Sequence, residues 1–282
     1  VFMPQTDTAL QSFNLLEQRK IKFVTFGRTD VDYANLALGR PRGKYKYWLG
    51  ESFYNNEQAG ELLADYLITK AKGSKKEDNM SNNKVTAFGL TGGYTPVSTD
   101  RNNGLIAAAK KHDIELKQIV HVHWSSEIAK NKLLQLLKRH GKPDVIWCAS
   151  DLIALGALEA AKQENLLVNK DFFIGGFDWT IPVIKKISDN QFTASAGGHV
   201  FLGAHMLINV FDYHHGIDDL NHDLSYKGYP LRLITVDNIH EYKVITQKGY
   251  GQKIDYKRFS KIKNEDAEEF TIENILNVLE NK

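Results

Sequence analysis

"DVIWCASDLIALGALEAA", residues 144–161, is an apolar run that stops at Ser150-Asp151 and turns at once into an Ala/Leu repeat. The first part is short enough for a buried strand, and the repeat carries its apolar side chains at helical spacing. A strand that passes straight into a helix through two hydrogen-bonding side chains points to an open parallel sheet. In such sheets ligands bind outside the carboxyl ends of the strands, where helix N-termini aim their N–H groups at the same space. Asp151 also has a plainer role open to it, as the N-cap of the helix, which alone contributes about 0.5–2 kcal/mol.

The same grammar runs outward in both directions. DTALQSFNLLEQRK (7–20) reads as a helix entering the strand IKFVTF (21–26). Helix 56–71 precedes strand VTAFGL (85–90), helix 100–111 precedes IELKQIVHV (114–122), and helix 126–140, capped by Ser125 or Ser126, precedes DVIWCA (144–149). Helix 152–164 leads to FFIGGF (172–177), helices near 180–188 and 200–213 flank FTASA (192–196), and strands LRLITV (231–236) and YKVITQ (242–247) follow. Short apolar strands without a period of two, alternating with helices, predict a parallel sheet covered on both faces, a doubly wound α/β class. Two stretches interrupt the pattern. TDVDYANLALGRPRGKYKYWLGESFYNN (29–56) reads as an insertion, a lobe connection or a loop beside a cleft, and KGSKKEDNMSNNK (72–84) as a solvated surface loop. The tail FSKIKNEDAEEFTIENILNVLENK (259–282) ends in an amphipathic segment expected to pack on the body or to meet a partner helix.

Composition narrows the function. The 282 residues, 42% hydrophobic, suffice for one large core or two modest ones. A net charge of +2 without a long basic block argues against nucleic acid or a polybasic membrane contact as partner. No apolar run approaches the roughly 20 residues of a membrane helix. Cys148, the single cysteine, lies inside the apolar strand run, so packing is its expected role and no intrachain disulfide can form. There is no Gly-x-Ser-x-Gly elbow, Walker lysine loop, HExxH or paired CxxC, so no enzyme, metal centre or cofactor is expected. His121 and His123 share a strand face as metal ligands would, yet without a third ligand nearby they read as structural; His214 and His215 read as partners of a helix C-terminus.

Four strand ends carry binding chemistry. Besides Ser150 and Asp151, the Gly-rich turn in GLTGGYTPVSTDRNNGLIAAA (89–109) places Arg101 three residues before Gly104, where a guanidinium fork can hold two vicinal oxygens, and Tyr94 stands in the same turn as a further candidate contact. In GGFDWTIP (175–182) Asp178 can accept from hydroxyls and Trp179 can cover the apolar face of a sugar ring. In SAGGHV (195–200) two glycines permit close backbone approach beside His199. The alternatives are a surface role for Arg101 and core packing for Trp179.

The segments NNEQAGELLADYL, LTGGYTPVSTDRNNG, PDVIWCASDLIALGALEAA, IGGFDWT and LITVDN, in this order, resemble the periplasmic sugar-binding proteins of the ribose and galactose type. The insertion, the Trp after GFD and the polar tail look most like the branch of autoinducer-2 receptors that work with a sensor kinase. The resemblance implies two doubly wound parallel-sheet lobes joined by three crossings, with the ligand clamped between them by hinge closure. On that scheme residues 1–53 are the remainder of the N-terminal lobe, 54–197 the C-terminal lobe, 198–229 a return to the N-terminal lobe, and 230–282 the last crossing with further C-terminal-lobe strands and the tail. An N-terminal segment completing the first lobe is expected to precede VFMP. Carried over by position, Arg101 looks like the cleft arginine, Ser150 a polar contact beside Asp151, Asp178 the carboxylate of G-F-D with Trp179 its ring-bearing neighbour, and Arg28 an arginine ending a first-lobe strand. Two departures stand out: Gly27 replaces the family aspartate before Arg28, and Gly198 replaces a polar residue at the third crossing, where His199 is the expected substitute.

The resemblance implies a monomeric, periplasmic receptor without cofactor that presents a sugar or polyol to an ABC permease or sensor kinase. The other class it admits is the sugar-effector domain of a cytoplasmic LacI-type repressor, which shares the fold and the R-x-x-G and S-D-x-x-A-x-G-A shapes.

Overall fold

The computed structural model describes residues 1, 8–27, 38–77, 84–220, 228–262, 264 and 266–280. The chain divides into two compact units: Val1–Asn55, His199–Pro230 and Gln247–Lys282 form the first, Asn56–Gly198 and Leu231–Thr246 the second. The tail departs from expectation, since residues 247–282 cluster with the first unit instead of continuing the strands of the second. Among the described residues no helix is long and apolar enough to cross a membrane.

In the first unit helix α1 (Ala9–Gln18) is followed by the parallel pair β1 (Phe23–Phe26) and β2 (Trp48–Ser52). Strand β2 lies inside the stretch read as an insertion, because WLGES has only two adjacent apolar residues and gives no strand signal of its own. What holds it is packing. Phe13, fully buried on α1, meets the rings of Phe23, Tyr45 and Trp48 edge-on at 5.0, 5.2 and 4.8 Å. The Trp48 indole N–H is satisfied inside this core by Thr25 Oγ1 at 3.1 Å and the Gly50 carbonyl at 2.9 Å. A second cluster joins Val24 and Leu49 to Met206 and Leu220.

The second unit opens with helix α2 (Asn56–Glu77), which continues six residues into the stretch expected to be loop; the polar residues 78–83 lie outside the described residues. Strand β3 (Thr86–Thr91), helix α3 (Pro96–Lys111), strand β4 (Glu115–His121), helix α4 (Ser126–His140), strand β5 (Val145–Cys148), helix α5 (Asp151–Gln163), strand β6 (Phe173–Phe177), helix α6 (Ile181–Ser188) and strand β7 (Ala194–Gly197) alternate as predicted. Thr95 caps α3 through Ser98 N–H with Pro96 in its first turn, so the helix starts four residues before the sequence reading placed it. The strands order as β4-β3-β5-β6-β7-β8, with β8 being Arg232–Thr235. All neighbours are parallel except β8, which runs antiparallel to β7. The chain leaves this unit after Gly198 and returns at Leu231, and Gly197 pairs with Arg232 at that same end, so the returning strand must run backwards.

YKVITQ is not a strand. Residues Ile239–Thr246 form a 3-10 segment that buries Tyr242 and Ile245, three apart, together with Val244; a three-residue turn places that spacing on one face. Helix α7 (Leu202–His214), which precedes β8, and helix α8 (Ile272–Glu280), near the end of the chain, complete the first unit, α8 burying Ile275, Leu276, Val278 and Leu279. The amphipathic tail therefore packs.

Candidate functional site

The carboxyl ends of β5 and β6 bring Arg101, Ser150, Asp151, Asp178 and Trp179 into one cluster of the second unit. Arg101 projects from α3 and is 6% exposed, so it is no surface arginine. Its Nε donates to Asn56 Oδ1 at 2.9 Å, its Nη1 to the Ala149 carbonyl at 2.6 Å, and its guanidinium lies 4.2 Å from the centre of the Phe177 ring. Burial pulls its pKa down to about 10 while the charges of Asp178 and Asp151 pull it back up, so the group stays ionised at neutral pH. The Arg101 guanidinium makes no other hydrogen bond among the described residues, so part of its five-donor fork remains for an incoming oxygen.

Asp178 follows β6 with φ +106°, and Trp179 follows it with φ +54°. Two successive non-glycine residues in the left-handed half of the backbone map are strained, at roughly 1–3 kcal/mol each, and persist only where the surroundings fix them. Burial raises the Asp178 carboxyl to about 6, against the Arg101 charge and the hydrogen bond from the Asp151 backbone N–H, which both lower it. The half-buried carboxylate thus faces a cation and a helix N-terminus together.

Trp179 corrects the expectation of a sugar-stacking ring. It is 6% exposed, its Nε1 donates to the Ser195 carbonyl at 3.0 Å, and its ring meets Tyr242 edge-on at 5.0 Å. A Cβ on Gly197 would lie 2.3 Å from the indole, so the glycine is there to admit the ring. Trp179 is core.

Ser150 and Asp151 divide the two roles differently from the sequence reading. Ser150 is the N-cap of α5, its Oγ accepting from Ile153 N–H at 3.2 Å, and Asp151 is the first helical residue. Ser150→Ala should therefore cost about 1 kcal/mol in urea unfolding of the second unit. A loss below the error of that measurement would show that the cap is not used. Asp151 is fully buried and committed: Oδ2 accepts from Thr180 N–H at 2.8 Å and Thr180 Oγ1 at 3.0 Å, and Oδ1 from Ser195 Oγ at 2.8 Å. Burial still raises its carboxyl to about 8 against the Thr180 and Ser195 bonds. It is not a group that a ligand can reach.

Tyr94 is 83% exposed and stacks on His121 at 4.1 Å, while His121 Nδ1 is 3.1 Å from the Gly92 carbonyl. His199 belongs to the first unit, half-buried in a single 3-10 turn and edge-on to Tyr54 at 5.9 Å. Arg28 lies outside the described residues.

Sequence reasoning missed three participants. Asn56, which orients Arg101, carries no motif signal. Neither do Thr180 and Ser195, which hold Asp151. HVHW did contain one: His123 and Trp124 take φ +50° and +60°, and the Trp124 ring lies so close over Gly92 that a Cβ there would sit 2.1 Å from it. That strained aromatic turn closes the β4 end of the sheet.

A family model described as a periplasmic binding protein domain matches residues 3–209, and the chain belongs to that family. Its structure superposes on a periplasmic sugar-binding protein from Pseudomonas fluorescens with a TM-score of 0.76, at 21% identity, over 99% of this chain and 80% of that one. The Caulobacter myo-inositol binding protein bound to myo-inositol gives 0.66 at 18% identity, over 89% of this chain and 77% of that one. Among curated proteins, the ribose operon repressor of Haemophilus influenzae is 28% identical over 148 residues, 51% of this chain and 42% of the repressor. The match thus spans less than half of that relative's length. None of these three relatives supports the finer likeness to the autoinducer-2 receptor branch.

Proposed function

We propose that this chain is the ligand-binding part of an extracytoplasmic solute-binding protein for a sugar or cyclic polyol. Asp178 accepts ligand hydroxyls and Arg101 donates to ligand oxygens. The protein is non-enzymatic and cofactor-free, works as a periplasmic monomer, and presents its ligand to an ABC permease or a sensor kinase. One observation carries this reading: a strained turn at the end of β6 holds a carboxylate beside a buried guanidinium that keeps donors uncommitted. Such a pair matches vicinal hydroxyls, which both donate and accept. The sugar-binding and myo-inositol-binding descriptions of the two structural relatives support the ligand class.

The test is calorimetric titration with a panel of pentoses, hexoses and inositols. Asp178→Asn keeps the shape and tolerates positive φ but removes the charge. It should weaken the best panel ligand at least tenfold, about 1.4 kcal/mol. Because the Asp178 carboxyl is raised to about 6, its ionised, hydroxyl-accepting form grows as pH rises. Wild-type affinity should accordingly increase between about pH 5 and pH 7. Unchanged affinity in the variant would remove Asp178 from the site.

The second reading, the effector domain of a cytoplasmic repressor, is favoured by the match to the ribose operon repressor. Fractionating cells that express the full-length gene product separates the two. Release with the periplasmic fraction supports the receptor; retention in the cytoplasm on a helix-turn-helix protein supports the repressor.

A further inference from the structure

We propose that Asp151 is a positioning residue: its carboxylate locks the strained Asp178–Trp179–Thr180 turn and so aims the Asp178 carboxylate, without touching the ligand itself. The inference rests on reading Asp178 as the hydroxyl acceptor. Asp151 grips the turn from both sides. Its backbone N–H donates to the Asp178 side chain, and its carboxylate accepts from both the N–H and the hydroxyl of Thr180 at 2.8 and 3.0 Å. The third bond extends the grip to β7, where Ser195 Oγ donates to Oδ1 at 2.8 Å and itself receives the Trp179 N–H at 3.4 Å. From the far side, Asp178 N–H donates to the Ala196 carbonyl at 2.9 Å. Every residue of the turn is therefore tied directly or through one hydroxyl to Asp151.

The sequence makes room for this. A Cβ on Gly176 would lie 2.6 Å from Asp151 Oδ1 and 3.1 Å from its Cα, so a side chain at Gly176 would expel the carboxylate. With the acceptor gone, Thr180 loses both of these bonds and Ser195 its anchor, so the turn keeps only part of the set that opposes relaxation of φ +106° and +54° toward the ordinary regions. Asp178 would then leave the guanidinium.

Charge and geometry can be separated because Asp151→Asn removes the charge but keeps an oxygen acceptor for Thr180, the Ser195 hydroxyl being free to rotate. Asp151→Ala removes both. The experiment follows the Asp178 carboxyl carbon by NMR through a pH titration of wild type and both variants without ligand. The same three proteins are then titrated calorimetrically with D-allose, D-ribose and myo-inositol. A positioning role predicts that the Ala and Asn variants differ by at least about half a pH unit at Asp178. It also predicts that Asn stays within about threefold of wild type for the best ligand while Ala weakens it about tenfold or more.

Coincident Asp178 titrations in two variants that both melt cooperatively would overturn the proposal, since only the charge would then matter. If Asp151→Ala does not fold, the Thr180→Val/Ser195→Ala double variant removes the two hydroxyl donors and keeps the carboxylate. It should displace the Asp178 titration from wild type by a similar amount, and an unmoved titration there refutes the idea. Should wild type bind none of the three probes, the sugar reading fails for them, while the ligand-free titrations still decide the role of Asp151.

Discussion

Arg101→Ala should lower the stability of the second unit by about 3–5 kcal/mol, the range seen when one member of a buried charge network is removed. Three losses add up. The Ala149 carbonyl and Asn56 Oδ1 lose their donor in a buried setting, at roughly 1–3 kcal/mol each where water cannot replace it. The Phe177 face loses the guanidinium stacked 4.2 Å from its centre, leaving a cavity at the end of β6. Asp178 loses the cation that opposes its desolvation, and its carboxyl rises above about 6. Against these stands the desolvation that Arg101 itself suffers, visible in its lowered pKa. Urea unfolding read by tryptophan fluorescence measures the balance, because Trp147 and Trp179 both lie buried in this unit. A change under about 1 kcal/mol would mean that the guanidinium is held loosely and that its contacts are not structural. In the sequence, a residue in R-x-x-G can be assigned to a ligand without any sign that it also bridges α2, α3 and the end of β5. Its effect on binding must therefore be read in a variant such as Arg101→Lys, which keeps the charge and part of the packing.

The alternation of elements was legible because burial leaves its mark on composition. VIWC and FIGGF are entirely buried, and the amphipathic faces of α4 and α6 show the helical period plainly. The misread elements are those whose fate tertiary structure decides. WLGES becomes a strand because Trp48 has a core to enter, and YKVITQ becomes a 3-10 segment although its β-branched residues favour a strand. At the site, motif spacing located Arg101, Ser150, Asp151 and Asp178 but could not say which faces the ligand. Asp151 and Trp179 look like ligand groups in a one-dimensional reading because they adjoin Ser150 and Asp178. Both of these turn inward, where Asp151 meets Ser195 and Thr180 and the Trp179 indole meets the Ser195 carbonyl.

The R-x-x-G spacing has a packing meaning that leads to the second large effect. Gly104 faces α2 so closely that an added Cβ would lie 2.1 Å from the Glu57 carbonyl oxygen and 2.4 Å from Glu61 N. One turn along, a Cβ on Gly60 would lie 2.2 Å from the Arg101 carbonyl oxygen, so α2 and α3 interlock backbone to backbone through two glycines. The obstructing atoms belong to helix backbones and cannot rotate away. Gly104→Ala must therefore separate the helices, at a cost of about 3 kcal/mol, the upper part of the usual overpacking range. Gly73, also in α2, supplies the contrast, because a Cβ there meets nothing within 4 Å. Gly73→Ala should stabilise by up to about 1 kcal/mol through helix propensity alone. The same methyl group in the same pair of helices is thus expected to act with opposite sign, and thermal melts of the two variants side by side read the difference. Equal midpoints would mean that the helices are not in close contact. If they are, moving α3 away from α2 also pulls Arg101 from Asn56, and Gly104→Ala should weaken ligand binding although neither glycine touches the ligand.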